Sequence, residues 1–384
     1  MKILITTFTF PPEENGVSKV TYAHALCFAK RGYHVSVATN FNEKRNVEEY
    51  RKRGINIYQF KIKGSANIRE GYRGQIDDYK TYLINQDADI ILFHCWQSWP
   101  TDIGLQVSQF INSKKILVSH GISVNLVLKL RNILSWFLWR PYVCRLKYMI
   151  KKFDHIVFLW DKIDKNRFYD YYIVKKYKYS NFSIIPNGTF PLNDHLDFKK
   201  KYNIKENLLL LNVGAYNFLK NQKLILEAFA ECNINDAHLV LIGNEKNNYY
   251  EYLIYLAKKH RIEEKVSVLA GLTKEEIESA YMSADIFLHG SLSEVQPLVI
   301  LDAMRAGLPF ISTDVGCIRD LPGGMIARNK PEMILKIKYL AENKDIREKL
   351  GHEGKKAANM KFNWEKIAEE YEELFFKLLK KINK

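Results

Sequence analysis

Cysteine is scarce in this sequence: five residues in 384, scattered singly at positions 27, 95, 144, 232 and 317. That scatter excludes a disulfide framework and a cysteine-built zinc site, and it fits a reducing compartment. No run of about twenty apolar residues is present, so no membrane-spanning helix is expected. The apolar start from Lys2 to Phe10 is short and meets Pro11 and Pro12 without a small-residue cleavage site, so no secretion signal is expected. Internal sequence repeats and low-complexity stretches are also missing. So is Gly-x-Gly-x-x-Gly, which argues against a dinucleotide oxidoreductase. Acidic residues are in the minority, 43 against 58 Lys and Arg, for a net charge of +15. Such a balance favours anionic partners: nucleic acid, phosphorylated substrates or acidic membrane. Charge alone does not choose among them.

What is present is a globular composition, 47% hydrophobic and 26% charged, in a chain too long for one ordinary core. Two domains are expected. Buried-strand runs begin at 2–9, 33–39, 54–60, 89–94, 115–119, 155–160 and 183–185. Helical spacing fills 17–31, 75–86, 101–112, 124–138, 141–152 and 162–173. Strand, loop, helix and strand in that order indicate right-handed parallel crossovers. A polar, broken stretch at 190–206 separates a second alternation, with strands at 208–214, 238–243, 266–271, 286–289 and 309–313. Ligands of such sheets sit at the carboxyl ends of the strands. Two strand ends carry histidine there, His94 and His120, the latter followed by Gly121.

The most informative stretch is 291–317, read as loop, helix, turn and strand. Pro297 suits the first helical position, Gly307 the left-handed residue after the last turn, and Pro309 stops the helix from resuming. The N–H groups from Val295 to Leu298 then form an anion site. Glu294 stands beside that site. Asp302 lies roughly 7–8 Å further along the helix axis, at 1.5 Å rise per residue. The spacing suits a ligand with phosphates at the helix start and a sugar on each side of them.

This stretch resembles the donor-site signature of the GT-B glycosyltransferases, specifically the retaining family 4 (group 1). The signature has one Glu, seven residues, and a second Glu followed by Ala-Met. Here Glu294 is the first acid, and Asp302, followed by Ala303 and Met304, stands at the second. Other family marks recur in order: Gly16 after Pro11-Pro12, His120, Pro186-Asn187-Gly188, and Lys220 after Gly214. Ala215 occupies a position where the family has Arg. The resemblance covers nearly the whole chain. It implies an α/β GT-B fold, two Rossmann-like domains facing across a cleft. It divides the chain into an acceptor domain at 1–190, a donor domain at 207–360, and a final helix at 361–384 crossing back to the first domain.

The resemblance also implies chemistry. A sugar passes from a nucleotide diphosphate to a hydroxyl acceptor with its anomeric configuration retained. Lys220 and the N–H groups around Gln296, Pro297 and Leu298 bind the leaving diphosphate, and Gly16 lets the first domain approach it. Glu294 orients the donor sugar, Asp302 the ribose, and His120 touches the sugar or its departing oxygen. His120, Lys220 and Glu294 are thus the catalytic candidates. No metal is implied, since no Asp-x-Asp stands in the expected place, and no cofactor beyond the donor substrate. The acceptor is expected to be lipid-linked or glycan, as in surface polysaccharide, lipopolysaccharide or capsule synthesis.

Residues 126–152 interleave Trp136, Phe137 and Trp139 with seven Lys and Arg. A membrane-interface helix meeting anionic lipid and an ordinary pair of core helices both fit this pattern. A nucleic-acid groove fits less well, because the pattern matches no base-reading module, and no nucleic-acid partner is expected. The expectation is a cytoplasmic protein, with peripheral association at the inner face of the plasma membrane left open. Two rival functions share the fold: a sugar-nucleotide 2-epimerase and a non-catalytic binding or scaffold subunit. Ala215 and Asp302 are the features that favour the scaffold.

Overall fold

The first sheet is seven-stranded and entirely parallel. Its strands are β1 (Lys2–Thr6), β2 (His34–Asn40), β3 (Ile55–Phe60), β6 (Ile90–His94), β7 (Lys114–Ser119), β8 (His155–Phe158) and β9 (Phe182–Ile184), and an antiparallel hairpin, β4 (Ile62–Ser65) and β5 (Gly71–Gly74), lies outside it. The order is β3-β2-β1-β6-β7-β8-β9. The second sheet holds six parallel strands: β10 (Leu208–Val213), β11 (Ala237–Gly243), β12 (Val266–Ala270), β13 (Ile286–His289), β14 (Phe310–Ser312) and β15 (Gly324–Ile326). Their order is β12-β11-β10-β13-β14-β15. In both sheets the order reverses beside the first strand, as in doubly wound nucleotide folds. This computed structural model describes residues 1–67, 69–122, 133–162, 164 and 166–380.

The sheets belong to two compact units. One comprises Met1–Asn187 with Trp364–Lys384, the other Gly188–Asn363. The central strands are apolar throughout because helices cover both faces. Leu209, Leu210 and Leu211 of β10 and Ile90, Ile91 and Leu92 of β6 are all fully buried. The amphipathic helix Trp364–Lys380 packs on the helix Gly16–Lys30. Tyr371 and Phe375 meet Phe28, while Arg31 bonds Glu369 at 3.1 Å and Glu372 at 3.3 Å.

Several elements depart from the hydrophobic pattern. The helix expected at 101–112 is a short one, Trp99–Gly104, followed by a 3₁₀ turn at Ser108–Phe110. It ends early at Gly104, where a Cβ would lie 2.5 Å from the Phe93 ring. The helix expected at 162–173 runs from Tyr169 to Lys176. The two helices expected around Pro141 are one, Ile133–Met149, with the proline inside it. Burial of Tyr142, Val143 and Leu146 holds that helix together despite the missing N–H. Residues 124–132 of the stretch fall outside those described. Pro297 is the N-cap of its helix, with extended backbone, rather than its first residue, so the helix spans Leu298–Ala306.

Candidate functional site

In the second unit, β10 opens into a loop whose shape is fixed by side chains bonding to backbone. The Tyr216 hydroxyl donates to the carbonyls of Leu241 and Leu269, 2.7 Å each, and its ring covers Gly243, where a Cβ would lie 2.3 Å from the ring. Gln222 Nε2 donates to the carbonyls of Gly214 and Ala215 at 3.1 Å, and Asn221 Nδ2 to that of Gly290 at 3.2 Å. Asn221 itself is left-handed, φ 51°, a conformation asparagine tolerates, and it caps the helix Gln222–Cys232. This frame delivers Lys220 to its place.

Lys220 Nζ lies 2.5 Å from Glu294 Oε1. His289, the last residue of β13, places Nε2 3.6 Å from the same oxygen and bonds Ser312 Oγ through Nδ1 at 2.9 Å. Burial works to raise the Glu294 carboxyl, but the neighbouring His289 and the Lys220 charge overcome it and hold the group at about 2. Glu294 is therefore a carboxylate at any physiological pH. Its loop depends on Gly316, at φ 54°, where a Cβ would sit 2.3 Å from the Val295 carbonyl oxygen. The Cys317 N–H then donates to that carbonyl at 2.9 Å.

Beyond Glu294, the buried Gln296 and then Pro297 lead into the helix Leu298–Ala306, which Gly307 ends at φ 87°. One turn in, Asp302 Oδ1 accepts the Thr189 hydroxyl at 2.6 Å. The Thr189 N–H in turn donates to the Phe362 carbonyl at 2.7 Å. The shorter acid thus has a partner within the protein itself.

In the first unit, the loop after β1 leads to the helix Gly16–Lys30, whose Asn15 cap accepts the Ser18 N–H at 3.0 Å. A Cβ at Gly16 would meet nothing within 4 Å, so the protein's own packing does not require glycine there. The loop is held from behind by Arg45. Its fully buried guanidinium donates to the carbonyls of Phe10, Pro11 and Asn40, to Gln59 Oε1, and to Glu13 Oε2 at 2.7 Å. His120 follows β7. Behind it the Ser119 hydroxyl donates to the buried Asp170 and accepts the Gly121 N–H at 3.2 Å. His120 Nε2 is 3.0 Å from His94 Nδ1, and His94 Nε2 is 3.5 Å from His24 Nδ1. Burial lowers all three histidines, His24 to about 3 and His120 to about 4, so the row is uncharged near neutrality.

Of the sequence candidates, the second unit brings Lys220 and Glu294 into contact, and chain continuity sets Gln296, Pro297 and Leu298 directly after them. Asp302 is one turn away on the same helix. Gly16 and His120 belong to the first unit. His289, Thr189, Arg45 and His24 were not among the candidates. Only His289 carried a usable signal, since it ends a strand as His94 does. Among the described residues no group of three His, Cys, Asp or Glu side chains is arranged to hold a metal ion.

These features define a class: two Rossmann-like units of the GT-B kind, one with an anion-ready helix start beside a Lys–Glu pair. Residues 194–357 match the family described as "Glycosyl transferases group 1". It is 24% identical to the N-acetyl-alpha-D-glucosaminyl L-malate synthase of Bacillus anthracis over 207 residues, 52% of this chain and 53% of the relative. The chain spans about half the length of the curated relatives it matches. The fold is shared with sucrose-phosphate synthase of Thermosynechococcus elongatus, at TM-score 0.79, 17% identity and 98% coverage of both chains. It is shared as well with HepE of Anabaena in complex with UDP and glucose, at TM-score 0.76, 16% identity and coverage of 98% and 100%.

Proposed function

We propose that this chain is a retaining, metal-independent glycosyltransferase that moves a hexose-type sugar from a nucleotide diphosphate to a hydroxyl acceptor. The observation that carries the reading is Lys220 held 2.5 Å from Glu294, immediately before the N-terminus of the helix Leu298–Ala306. A cation and the N–H groups of a helix start at one place stabilise a departing diphosphate electrostatically, the largest contribution to many group transfers. Lys220 takes the charge that a metal ion supplies elsewhere. Glu294, ionised and directed, accepts hydrogen bonds from sugar hydroxyls. Asp302 accepts from the ribose while Thr189 holds its other side in place. By the same resemblance, Gly16 and His120 of the first unit are assigned to the phosphates and to the sugar or its departing oxygen. The match to group 1 glycosyl transferases and the UDP and glucose bound by HepE support a nucleotide-sugar donor.

The test is binding and slow hydrolysis across UDP-, GDP-, ADP- and dTDP-sugars beside Lys220→Ala. One donor that binds, and loses at least tenfold in affinity with the substitution, is expected. Binding that is indifferent to Lys220→Ala would overturn the assignment of the diphosphate. Absence of binding by every donor would instead favour the scaffold reading, which the missing cation at Ala215 supports.

The acceptor we propose is lipid-linked or membrane-proximal, as in surface polysaccharide or lipopolysaccharide assembly. The helix Ile133–Met149 exposes Leu134 at 66%, Phe137 at 58% and Tyr148 at 62%, with Arg140 over the Trp136 ring and Lys147 over that of Tyr148. Exposed apolar rings flanked by cations suit the boundary between headgroups and acyl chains. No helix among the described residues is long and apolar enough to cross a membrane. The chain is expected to float with anionic vesicles and to lose most of that binding in Phe137→Ser/Tyr148→Ser. Recovery of the unaltered protein in the vesicle-free fraction would refute a membrane-proximal acceptor site.

A further inference from the structure

Three histidines of the first unit stand in a row that the reaction scheme leaves mostly unused. His94 ends β6, His120 follows the neighbouring β7, and His24 reaches down from the helix Gly16–Lys30 that lies on the sheet. His94 is fully buried and His24 is 3% exposed. The contacts run His24 Nδ1 to His94 Nε2 at 3.5 Å and His94 Nδ1 to His120 Nε2 at 3.0 Å. Both ring nitrogens of His94 are thus committed to other imidazoles. The far end, His24, lies against Trp364 and Tyr371, at ring distances of 5.3 Å and 4.7 Å.

A neutral imidazole has one N–H donor and one acceptor nitrogen. A row joined alternately through Nδ1 and Nε2 therefore satisfies both of its bonds in two arrangements only. Either all three rings carry their proton on Nδ1, or all three carry it on Nε2. Any mixed arrangement sets two N–H groups or two lone pairs face to face, at a cost that burial magnifies. In the first arrangement His120 offers an Nδ1–H donor outward, and in the second a bare Nδ1 acceptor. We infer that His94 and His24 couple the tautomer of His120 to their own, with His94 as the positioning residue between them. The arrangement matches the general logic by which a third group sets the working tautomer of a catalytic histidine. It adds no charge to the interior, in keeping with the lowered pKa of each ring.

Two measurements test this, and only the second rests on the role proposed for His120. The first uses the full chain with ¹⁵N-labelled histidine at pH 7, assigned through single substitutions at 24, 94 and 120. Long-range proton–nitrogen correlations are expected to show all three rings neutral with the proton on the same nitrogen type. A mixed set, or an imidazolium at any of the three, would overturn the relay. The second compares His94→Asn with His94→Phe, each checked for an unchanged Tm. The asparagine amide retains a donor and an acceptor toward His120 Nε2; phenylalanine retains neither. Sugar transfer is expected to fall roughly a hundredfold in kcat with His94→Phe and roughly tenfold with His94→Asn, with donor KM within about twofold in both. Equal activity of the two variants would refute a positioning role even if the tautomers agree. If no donor is turned over by the unaltered protein, the glycosyltransferase reading fails, while the nitrogen spectra still decide the relay.

Discussion

The two units are built alike and charged differently. Both are parallel sheets whose strand order reverses beside the first strand, and in both the distinctive side chains gather after the carboxyl ends of central strands. In the first unit these are imidazoles kept neutral by burial. In the second they are an ionised carboxylate and a lysine, 2.5 Å apart and partly open to solvent. One scaffold thus supports two electrostatic regimes, and what decides between them is whether an opposite charge accompanies the buried group.

That contrast can be broken most forcefully at Arg45. Its guanidinium is wholly buried, and Arg45→Met would leave the carbonyls of Phe10, Pro11 and Asn40 without their charged donor. A loss of roughly 1–3 kcal/mol for each carbonyl left unpaired is expected. Segment-resolved hydrogen exchange should show it in the first unit while Gly188–Asn363 keeps its protection. Equal loss in both units would mean that they do not unfold independently.

Acid should separate the units next. Histidines lowered to about 3 and about 4 bind fewer protons folded than unfolded, so the first unit loses stability as pH falls below 6.5 toward those values. Glu294, held at about 2 against an ordinary 4.5, contributes stability above pH 4.5 that is lost only as pH falls from there toward 2. That contribution is on the order of 3 kcal/mol. Proteolysis between pH 7 and 3 should therefore release fragments of the first unit first. In Glu294→Gln, the second unit should lose part of its own dependence between pH 4.5 and 2, the remainder coming from Glu276, which its hydrogen bond from Lys201 also holds at about 2. The smallest effect expected is a sharpening: Ala215→Arg should add a cation near Lys220 and tighten donor binding about tenfold, roughly 1.4 kcal/mol. Calorimetric titration of the responsive donor checks it.

Elements marked by their own punctuation were legible in the sequence. Pro297, Gly307 and Pro309 delimit the helix Leu298–Ala306 to within one residue, and the apolar runs locate the strands of both sheets from β1 to β14, the hairpin β4–β5 apart. Pairings made by topology were not legible. Lys220 and Glu294 are 74 residues apart and meet because β10 and β13 are neighbours, a fact of strand order rather than of local pattern. Thr189 and Asp302 meet across 113 residues. His24 sits mid-helix, where a histidine looks like any core-facing residue. The hairpin β4–β5 escaped because its register rests on Gly64 and Gly74, at φ 107°, and not on alternation of apolar side chains.

The return of Trp364–Lys380 to the first unit has a consequence for synthesis on the ribosome. The second unit is one continuous stretch, Gly188–Asn363, and can close as soon as it has emerged. The first unit begins earlier but lacks the cover for Phe28 and His24 until Tyr371 and Phe375 arrive. The half of the protein made first is thus finished last. A nascent chain halted near residue 190 would expose an apolar strip along the helix Gly16–Lys30 and should recruit chaperones that the completed chain does not.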